Sequence, residues 1–444
     1  MNKSNLSAAT IGLAGVQWFF FMFANTVVIP LSVGAAFQLS PEEISGALQR
    51  SFVFTGIACA LQALIGHRYA VMEGQSGLWW GVTLSLCTSS ASLGLSLPEL
   101  GGSLALGMMI SGGIVILLGA LGIGRLLTKW FSQPVMAVFL LLLACQLIMI
   151  FFKGMLGLSV SNKIDVPVAG LSLVLVVFVL LLSIKGKPFV RNFSILIGII
   201  VGWIAFRLLF HSDAAAQATG GPLLSLFPWG KLHGEPSILI MTVITGLLNT
   251  TNTVAALKGA EELYKRETKE MEYRRSFALT GAYSVVSGAF GLVPYAPYAS
   301  SLGFLQSTRI LARSPFLVGA LIFMTLGFIP ALSGFFSSMP VSVGHAVLFV
   351  AYLQLFGSAA RNLGSVSFTP FTVYKIAIPA MAGLSLMNIP AAAFADVPAL
   401  IRPIVSNGLL MGIVLAVTIN NVIDWDKFDR KKDEEKGKQT EKAS

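Results

Sequence analysis

Two polar stretches interrupt the apolar sequence and hold the side chains most able to do chemistry. YAVMEGQSGLWW, residues 69–80, places Glu73, Gln75 and Ser76 beside two glycines, and NTTNT, residues 249–253, adds two amides. These groups offer hydrogen-bond donors and acceptors, and a carboxyl group can also take up and release a proton. Such a set suits reversible binding of a small polar solute.

Covalent catalysis is not expected from this chain. It has no HExxH or Gly-x-Ser-x-Gly motif, and no cysteine and histidine stand at a spacing usable for a nucleophile and its base. Cys59, Cys87 and Cys145 lie in apolar runs and lack metal-ligand spacing. We therefore predict a protein that is not an enzyme and that has no metal site and no cofactor.

Composition places the chain in a membrane. It is 55% hydrophobic and only 11% charged, with a mean hydropathy of +0.79, whereas roughly a quarter of the residues in a soluble domain are charged. Apolar runs of about 17–25 residues, the length that crosses a bilayer as a helix, recur along the chain. The sequence predicts an all-α polytopic membrane protein with about fourteen transmembrane segments, at 10–32, 45–66, 70–92, 102–122, 134–152, 167–184, 192–210, 236–257, 277–293, 295–308, 315–337, 340–359, 371–390 and 403–423.

Lysine and arginine give the orientation of these segments. With both termini in the cytoplasm, only six of the thirty basic residues face outward, and the inner loops hold the excess. We therefore expect a multi-pass protein of the cell membrane with cytoplasmic termini and a charged cytoplasmic tail at 424–444. The net charge of +10 follows from this topology, so it is no reason to expect a nucleic-acid partner.

The two halves of the chain repeat one another in outline. FANTVVIP at 23–30 is echoed by TTNTVAAL at 250–257, and EGQSG in the third segment lies opposite YASSLG in the tenth. Each half holds seven segments, and an odd number makes the two halves insert with opposite orientations. Such a 7+7 inverted repeat with paired interrupted helices indicates a secondary transporter whose site lies near the membrane midplane.

The third and tenth segments are predicted to be broken helices. Pro294 and Pro297 would disrupt a continuous helix but are compatible with extended chain. We expect short extended stretches through RYAVMEG and VPYAPYA, followed by half-helices that begin near Ser76 and at Ser300 or Ser301. Non-helical backbone at this depth occurs where it lines a cavity or is buried in protein. The two N-termini would present N–H groups and partial positive charge to one solute.

Several segments resemble one transporter family along nearly the whole chain. They are QWFFFMFANTVVIPLSVGAAFQLSPEEI, MPVSVGHAVLFVAYLQLFGSAARNL and SNGLLMGIVLAVTINNVI, and the family is the nucleobase:cation symporter-2 family, also called the nucleobase/ascorbate transporters. The resemblance implies alternating-access uptake of uracil, xanthine or uric acid with a coupled proton. It also implies that the protein forms homodimers. It further implies a core domain at 10–122 and 236–337 and a gate domain at 134–210 and 340–423.

The positions at which this family binds its base are altered here. By the resemblance, Leu248 stands where most members have a base-binding glutamate, or Asn249 does if the match slips by one residue. Asn252 stands at the next polar position, where members usually have histidine or aspartate. Ser300 replaces a glutamate or glutamine, and Gly77 replaces an aromatic residue whose backbone amide meets the base. The candidate substrate-binding residues are therefore Glu73, Gln75, Ser76, Gly77, Asn249, Asn252, Ala299, Ser300 and Ser301.

Glu73 is the candidate proton-coupling residue. A charge at the bilayer centre costs about 2.5–3.5 kcal/mol on insertion scales, so an acidic residue at that depth is a functional candidate. The structural alternative is a glutamate that caps a half-helix or pairs with Arg68 near the cytoplasmic surface. Asn252 likewise has two interpretations, substrate contact and helix packing.

A second function class stays open. Converging half-helix N-termini also suit an anion, so the alternative is an anion transporter or channel of the sulfate-permease-like group on the same scaffold. Uptake of xanthine and of sulfate would separate the two.

Overall fold

Helices make up most of the structure. The computed structural model describes residues 6–122, 132–158, 163–187, 190–191, 193–210, 221–337, 339–364, 366, 369–398, 400–423 and 425. Its elements in chain order are α1 (Ala8–Thr26), α2 (Val28–Ala36), α3 (Pro41–Leu64), β1 (Glu73–Gln75), α4 (Gly77–Ser89), α5 (Leu97–Leu121), α6 (Gln133–Met155), α7 (Val166–Lys185), α8 (Ser194–Leu209), α9 (Pro236–Tyr264), α10 (Glu270–Phe290), β2 (Tyr295–Pro297), α11 (Ser300–Thr308), α12 (Arg313–Gly327), α13 (Pro330–Ser337), α14 (Val341–Gly364), α15 (Pro370–Met387), α16 (Arg402–Val405) and α17 (Gly408–Val422).

Many of these helices are long and apolar enough to cross a membrane. Within the described residues six candidate spans meet that test, with α1 and α2 counted together, and the pair α12 and α13 makes a seventh if it is one span. Each of the predicted segments coincides with one helix, with two consecutive helices, or with a strand and its helix. The chain is thus a mostly helical membrane protein, while fourteen crossings stay a prediction.

One predicted span is sharply bent. The sequence predicted a single segment at 315–337, but the axes of α12 and α13 differ by 88°. Pro330 begins α13, and a proline has no N–H with which to continue the hydrogen-bond ladder of the preceding helix. The bend therefore has a local cause that the printed sequence already contains.

The third and tenth predicted segments are broken, as the sequence predicted. β1 pairs with β2 in antiparallel fashion, and Gly74 lies opposite Ala296 at the centre of the ladder. The half-helices α4 and α11 follow their strands within three residues. The predicted extended stretches are confirmed, and so are the half-helix starts near Ser76 and at Ser300.

Glycine lets the helices around the strand pair approach closely. α5 and α10 meet at Gly112 and Gly281, where a Cβ on either residue would lie 2.6 to 2.7 Å from the carbonyl oxygen of the other. α5 meets α9 where a Cβ on Gly246 would overlap the Ser111 hydroxyl. Because packed interiors leave no spare volume, a larger residue at these points would push backbones apart. These small residues therefore allow α9 and α10 to pack closely against α5.

The chain divides into two compact units. The larger comprises Met1–Arg125 and Met149–Ala351 and contains both strands and both half-helices. The smaller comprises Leu126–Ile148 and Tyr352–Ser444. Within it, α15 and α17 pack backbone to backbone at Gly383 and Gly408.

Three predictions about organisation are left as predictions. They are the division into a core domain and a gate domain, the inverted repeat, and the charged cytoplasmic tail at 424–444. Apart from Trp425, that tail lies outside the described residues.

Candidate functional site

The two half-helices start at the ends of the strand pair. Backbone hydrogen bonds extend the ladder beyond its strands, from the Ser76 N–H to the Pro294 carbonyl oxygen at 2.8 Å and from the Tyr298 N–H to the Met72 carbonyl oxygen at 2.8 Å. Ser76 is the extended residue that precedes α4. Because the strands run antiparallel, α4 and α11 leave the ladder at opposite ends with their N-termini directed inward.

Asn249 ties α9 to both broken segments. Its Oδ1 atom accepts a hydrogen bond from the Ser76 hydroxyl at 2.6 Å, and its Nδ2 atom donates to the Tyr295 carbonyl oxygen at 2.8 Å. The Asn252 amide donates to the same Oδ1 atom at 3.1 Å. Leu248, the other residue that the sequence match allowed, is a buried apolar side chain. The residue at the half-helix crossing is therefore Asn249.

Four of the candidate residues are at least partly exposed. Ala299 and Ser300 at the tip of α11 are exposed, and Gly77 at the tip of α4 is half-buried. Asn252 on α9 is also half-buried, and its hydrogen bond to Asn249 uses its nitrogen. The Asn252 carbonyl oxygen is therefore the part of that amide available as an acceptor.

The other candidate residues are buried and hydrogen-bonded inside the protein. The Gln75 amide donates to the Ser51 hydroxyl on α3 at 3.0 Å. The Ser301 hydroxyl accepts from the Met72 N–H at 3.0 Å, which joins α11 to the chain before β1. Together with Ser76 and Asn249, these side chains hold the crossing in shape, and their direct contact with a solute stays a prediction.

Glu73 is fully buried on the side of β1 that faces α3 and α10. Its Oε1 atom accepts a hydrogen bond from the Thr280 hydroxyl of α10 at 2.8 Å. Its backbone N–H meets the Cys59 sulfur of α3 at 3.3 Å. Both structural alternatives are wrong, because Arg68 is exposed whereas Glu73 is fully buried, and neither half-helix, α4 or α11, has a side-chain hydrogen bond at its N-cap.

The chain before β1 is anchored at its other end by the loop between α9 and α10. The guanidinium group of Arg266 lies 4.5 Å from the Tyr69 ring centre and forms an ion pair with Glu272 at 3.2 Å. The Tyr69 hydroxyl donates to the Arg266 carbonyl oxygen at 3.0 Å, and the Tyr264 hydroxyl accepts from the Ala70 N–H at 3.1 Å. These contacts fix the extended backbone that enters the site.

Sequence reasoning missed three residues that shape the site. Thr280 and Gln62 surround Glu73, and the Tyr298 hydroxyl donates to the Gln75 carbonyl oxygen. Thr280 and Gln62 lie in helices rich in small polar residues, so their types alone do not single them out. Tyr298 follows directly after the prolines of the tenth segment, and that position was a usable signal.

Comparison with known proteins identifies the family. A model described as a permease family matches residues 10–392. The chain belongs to this permease family. The family that the sequence resembles is thereby confirmed.

Two permeases of Bacillus subtilis are similar to this protein along almost the whole chain. A putative purine permease, YwdJ, of Bacillus subtilis is 28% identical over 93% of this chain and 96% of that protein. The uric acid permease PucJ of the same organism is 25% identical over 95% of this chain and 93% of that protein. The protein is thus a multi-pass membrane transport protein, and it is not an enzyme.

A solved structure shares the fold of this permease. The transmembrane domain of the cyanobacterial bicarbonate transporter BicA superposes with a TM-score of 0.61 at 16% identity, over 91% of this chain and 97% of that domain. At that identity the likeness concerns the fold alone.

Proposed function

We propose that this permease is a secondary active transporter that imports a nucleobase, a purine such as xanthine or uric acid or the pyrimidine uracil, together with a proton. The observation that carries the proposal is the antiparallel pairing of β1 with β2, which joins the two broken segments that lead into α4 and α11. Purine and uric acid permeases among the relatives support the class of solute. The import follows alternating access around this crossing.

The accessible groups at the crossing match the edge of a planar base. A nucleobase alternates N–H donors with carbonyl and ring-nitrogen acceptors, so it needs both kinds of partner. Gly77 supplies a backbone N–H without a side chain in the way, and Ser300 supplies a hydroxyl. Asn252 supplies a carbonyl oxygen. The partial positive charge at the two helix N-termini favours the oxygen atoms of the base.

An aromatic pair lies along the same half-helix. Phe304, one turn after Ser300, has its ring centre 5.0 Å from that of Phe21 on α1, and both rings are half-buried. A flat solute that enters beside α11 would meet their faces, and such ring contacts stabilise complexes by about 0.5–1.5 kcal/mol.

Glu73 is proposed as the proton-coupling residue. It is an acidic side chain buried at the centre of a membrane protein, where ionisable groups mark ion pathways. In this permease Leu248 or Asn249 stands where the family resemblance implies a glutamate in the eighth segment, and Ser300 stands where it implies a glutamate or glutamine in the tenth. Glu73 is the acidic residue of β1, the strand that leads into α4.

The finer topology is part of the proposal. Fourteen crossings form two inverted halves of seven, with a core domain at 10–122 and 236–337 and a gate domain at 134–210 and 340–423. Both termini face the cytoplasm of a cell-membrane protein that works as a homodimer. The asymmetric distribution of basic residues and the broken third and tenth segments support this arrangement.

Anion transport is the second candidate function. The accessible groups at the crossing are mainly helix N-termini and neutral side chains, which suit an anion as well as a base. The fold shared with a bicarbonate transporter is compatible with either solute.

Uptake into vesicles tests the proposal. Vesicles that contain the full-length protein would be given radiolabelled xanthine, uric acid, uracil or sulfate, with the outside more acidic by one pH unit. For one proton per solute, that gradient supports accumulation of a base up to about tenfold. Accumulation should vanish when an uncoupler collapses the gradient, and empty vesicles provide the baseline. Accumulation of sulfate with no uptake of any base would replace this proposal with the anion transporter.

A further inference from the structure

We infer that Thr280 and Gln62 are positioning residues for a proton site at Glu73, on the face of β1 turned away from the solute. The inference rests on the proposed function, because it places the proton of the transport cycle. It goes further in assigning roles to α3 and α10 and in separating the proton from the solute by one strand.

The first argument is the direction of the hydrogen bonds around Glu73. One atom of the Gln62 side-chain amide lies 3.2 Å from the Ser276 carbonyl oxygen. Because a carbonyl oxygen can only accept, this atom must be the amide nitrogen. That nitrogen also donates to the Thr280 hydroxyl oxygen at 3.3 Å. The single hydrogen of Thr280 is then directed at Glu73, whose Oε1 atom lies 2.8 Å away. Gln62 therefore orients the hydroxyl, and the hydroxyl orients the carboxyl group.

The second argument is the lack of compensation for a full negative charge. The Oε2 atom of Glu73 is buried, and among the described residues it has no hydrogen-bond partner. The ion pair shown between described residues joins Arg266 to Glu272 and does not involve this carboxyl group. A buried carboxylate needs several donors or a cation to be stable. Oε2 is thus the atom that holds the proton in this conformation.

The titratable groups around Glu73 lie on α3, α10 and β2. They are Cys59 on α3, Tyr283 on α10 and Tyr295 on β2. All three are neutral when protonated, and each would repel the carboxylate if it ionised. None of them supplies positive charge, so the Thr280 hydroxyl is the main group favouring the ionised form of Glu73.

The third argument is the alternation of side chains along the strand. Successive residues of a strand point to opposite faces, so Glu73 and Gln75 share the face against α3 while Gly74 presents the other. A Cβ on Gly74 would lie 3.2 Å from the ring of Tyr298, the residue that precedes the α11 tip. The proton site and the accessible tips thus lie on different faces of the strand pair. Binding of the solute and binding of the proton are coupled through the position of β1, and the two sites are not in direct contact.

Thr280→Val tests this assignment, since it removes the hydroxyl and keeps the shape of the side chain. The variant loses the donor that favours ionised Glu73, so the acid form should persist to higher pH. The pH at which proton-driven uptake of radiolabelled xanthine falls to half should rise by roughly one unit, the usual effect of one hydrogen bond to a charged group. Affinity for xanthine in exchange at acidic pH should stay within about twofold, since the solute does not contact Thr280.

Two variants serve as controls. Thr280→Ser keeps the donor and should restore the wild-type pH profile. Ser284→Ala removes a buried hydroxyl one turn along α10 whose hydrogen bond stays within that helix, and it should leave the profile unchanged. If Thr280→Val fails to insert, Gln62→Leu, which frees the hydroxyl from its fixed direction, should shift the profile the same way by a smaller amount.

A second measurement does not depend on the solute. The infrared band of protonated carboxyl groups, titrated in purified full-length protein, should contain a component that Glu73→Gln removes. The pH at which half of that component is lost should rise in Thr280→Val and not in Thr280→Ser. A shift of this band without transport of xanthine, uric acid or uracil by the wild type would reject the proposed function and retain the proton site. An unchanged band and an unchanged uptake profile in Thr280→Val would overturn the inference.

Discussion

Glu73→Gln is expected to abolish proton-driven accumulation and to leave solute exchange intact. Glutamine keeps the size of the side chain and can still accept the Thr280 hydrogen bond, but it cannot release a proton. With the outside more acidic by one pH unit, the wild type can accumulate a base up to about tenfold. The variant should equilibrate the base to equal concentrations on both sides. Radiolabelled uptake, with and without base preloaded inside the vesicles, separates the two modes.

Glu99→Gln is the matched control for this experiment. Glu99 is an exposed acid whose side chain caps α5 through Ser96, so its loss removes a charge without touching the strand pair. Accumulation by this variant should equal that of the wild type. Full accumulation by Glu73→Gln would remove Glu73 from the coupling mechanism.

Asn249→Leu is expected to destabilise the site and to abolish base binding. The substitution removes the partners of the Ser76 hydroxyl, the Tyr295 carbonyl oxygen and the Asn252 amide. Each buried polar group left without a partner costs about 1–3 kcal/mol. The combined loss should lower the melting temperature of the purified protein by several degrees and leave the half-helices without a common anchor. Thermal unfolding in detergent and equilibrium binding of radiolabelled base measure the two effects.

Leu248→Met provides the comparison at the neighbouring position. Leu248 is buried on the same helix, and exchange between these apolar side chains usually costs less than about 1.5 kcal/mol. This variant should keep its melting temperature near that of the wild type and should bind base. An Asn249→Leu protein as stable and as competent in binding as Leu248→Met would show that Asn249 does not organise the crossing.

The broken segments could be predicted because their causes are local. Proline restricts the backbone and glycine frees it wherever they stand, so RYAVMEG and VPYAPYA indicated extended chain without knowledge of any neighbour. In the structure β1 overlaps the end of the first stretch, and β2 lies within the second. Their pairing was harder to foresee, since it depends on two segments more than 200 residues apart, and the echo between the two halves was the sequence feature that suggested it.

The roles of individual polar residues could not be predicted in the same way. In NTTNT, helical spacing alone leaves open which amide faces the crossing, and only the packing of α9 against α4 and β2 selects Asn249 as the anchor and Asn252 as the accessible group. Thr280 is one of several small polar residues in α10, and its importance comes from its distance to Glu73. Pro330 is the opposite case. It is a local signal for the bend between α12 and α13, but the long apolar run around it led to the prediction of one continuous segment.

Chemical labelling at Ser300 tests the central claim most directly, namely that a base binds at the half-helix tips. In a background with half-buried Cys145 replaced by serine, a cysteine at Ser300 should react with a maleimide, because this position is exposed. The base with the highest uptake, at ten times its dissociation constant, should slow the reaction roughly tenfold, since only unoccupied protein reacts. A cysteine at Gln306, exposed on a different face of α11, should react at the same rate with and without base. Equal rates at Ser300 with and without base, in protein shown to bind it, would place the solute elsewhere.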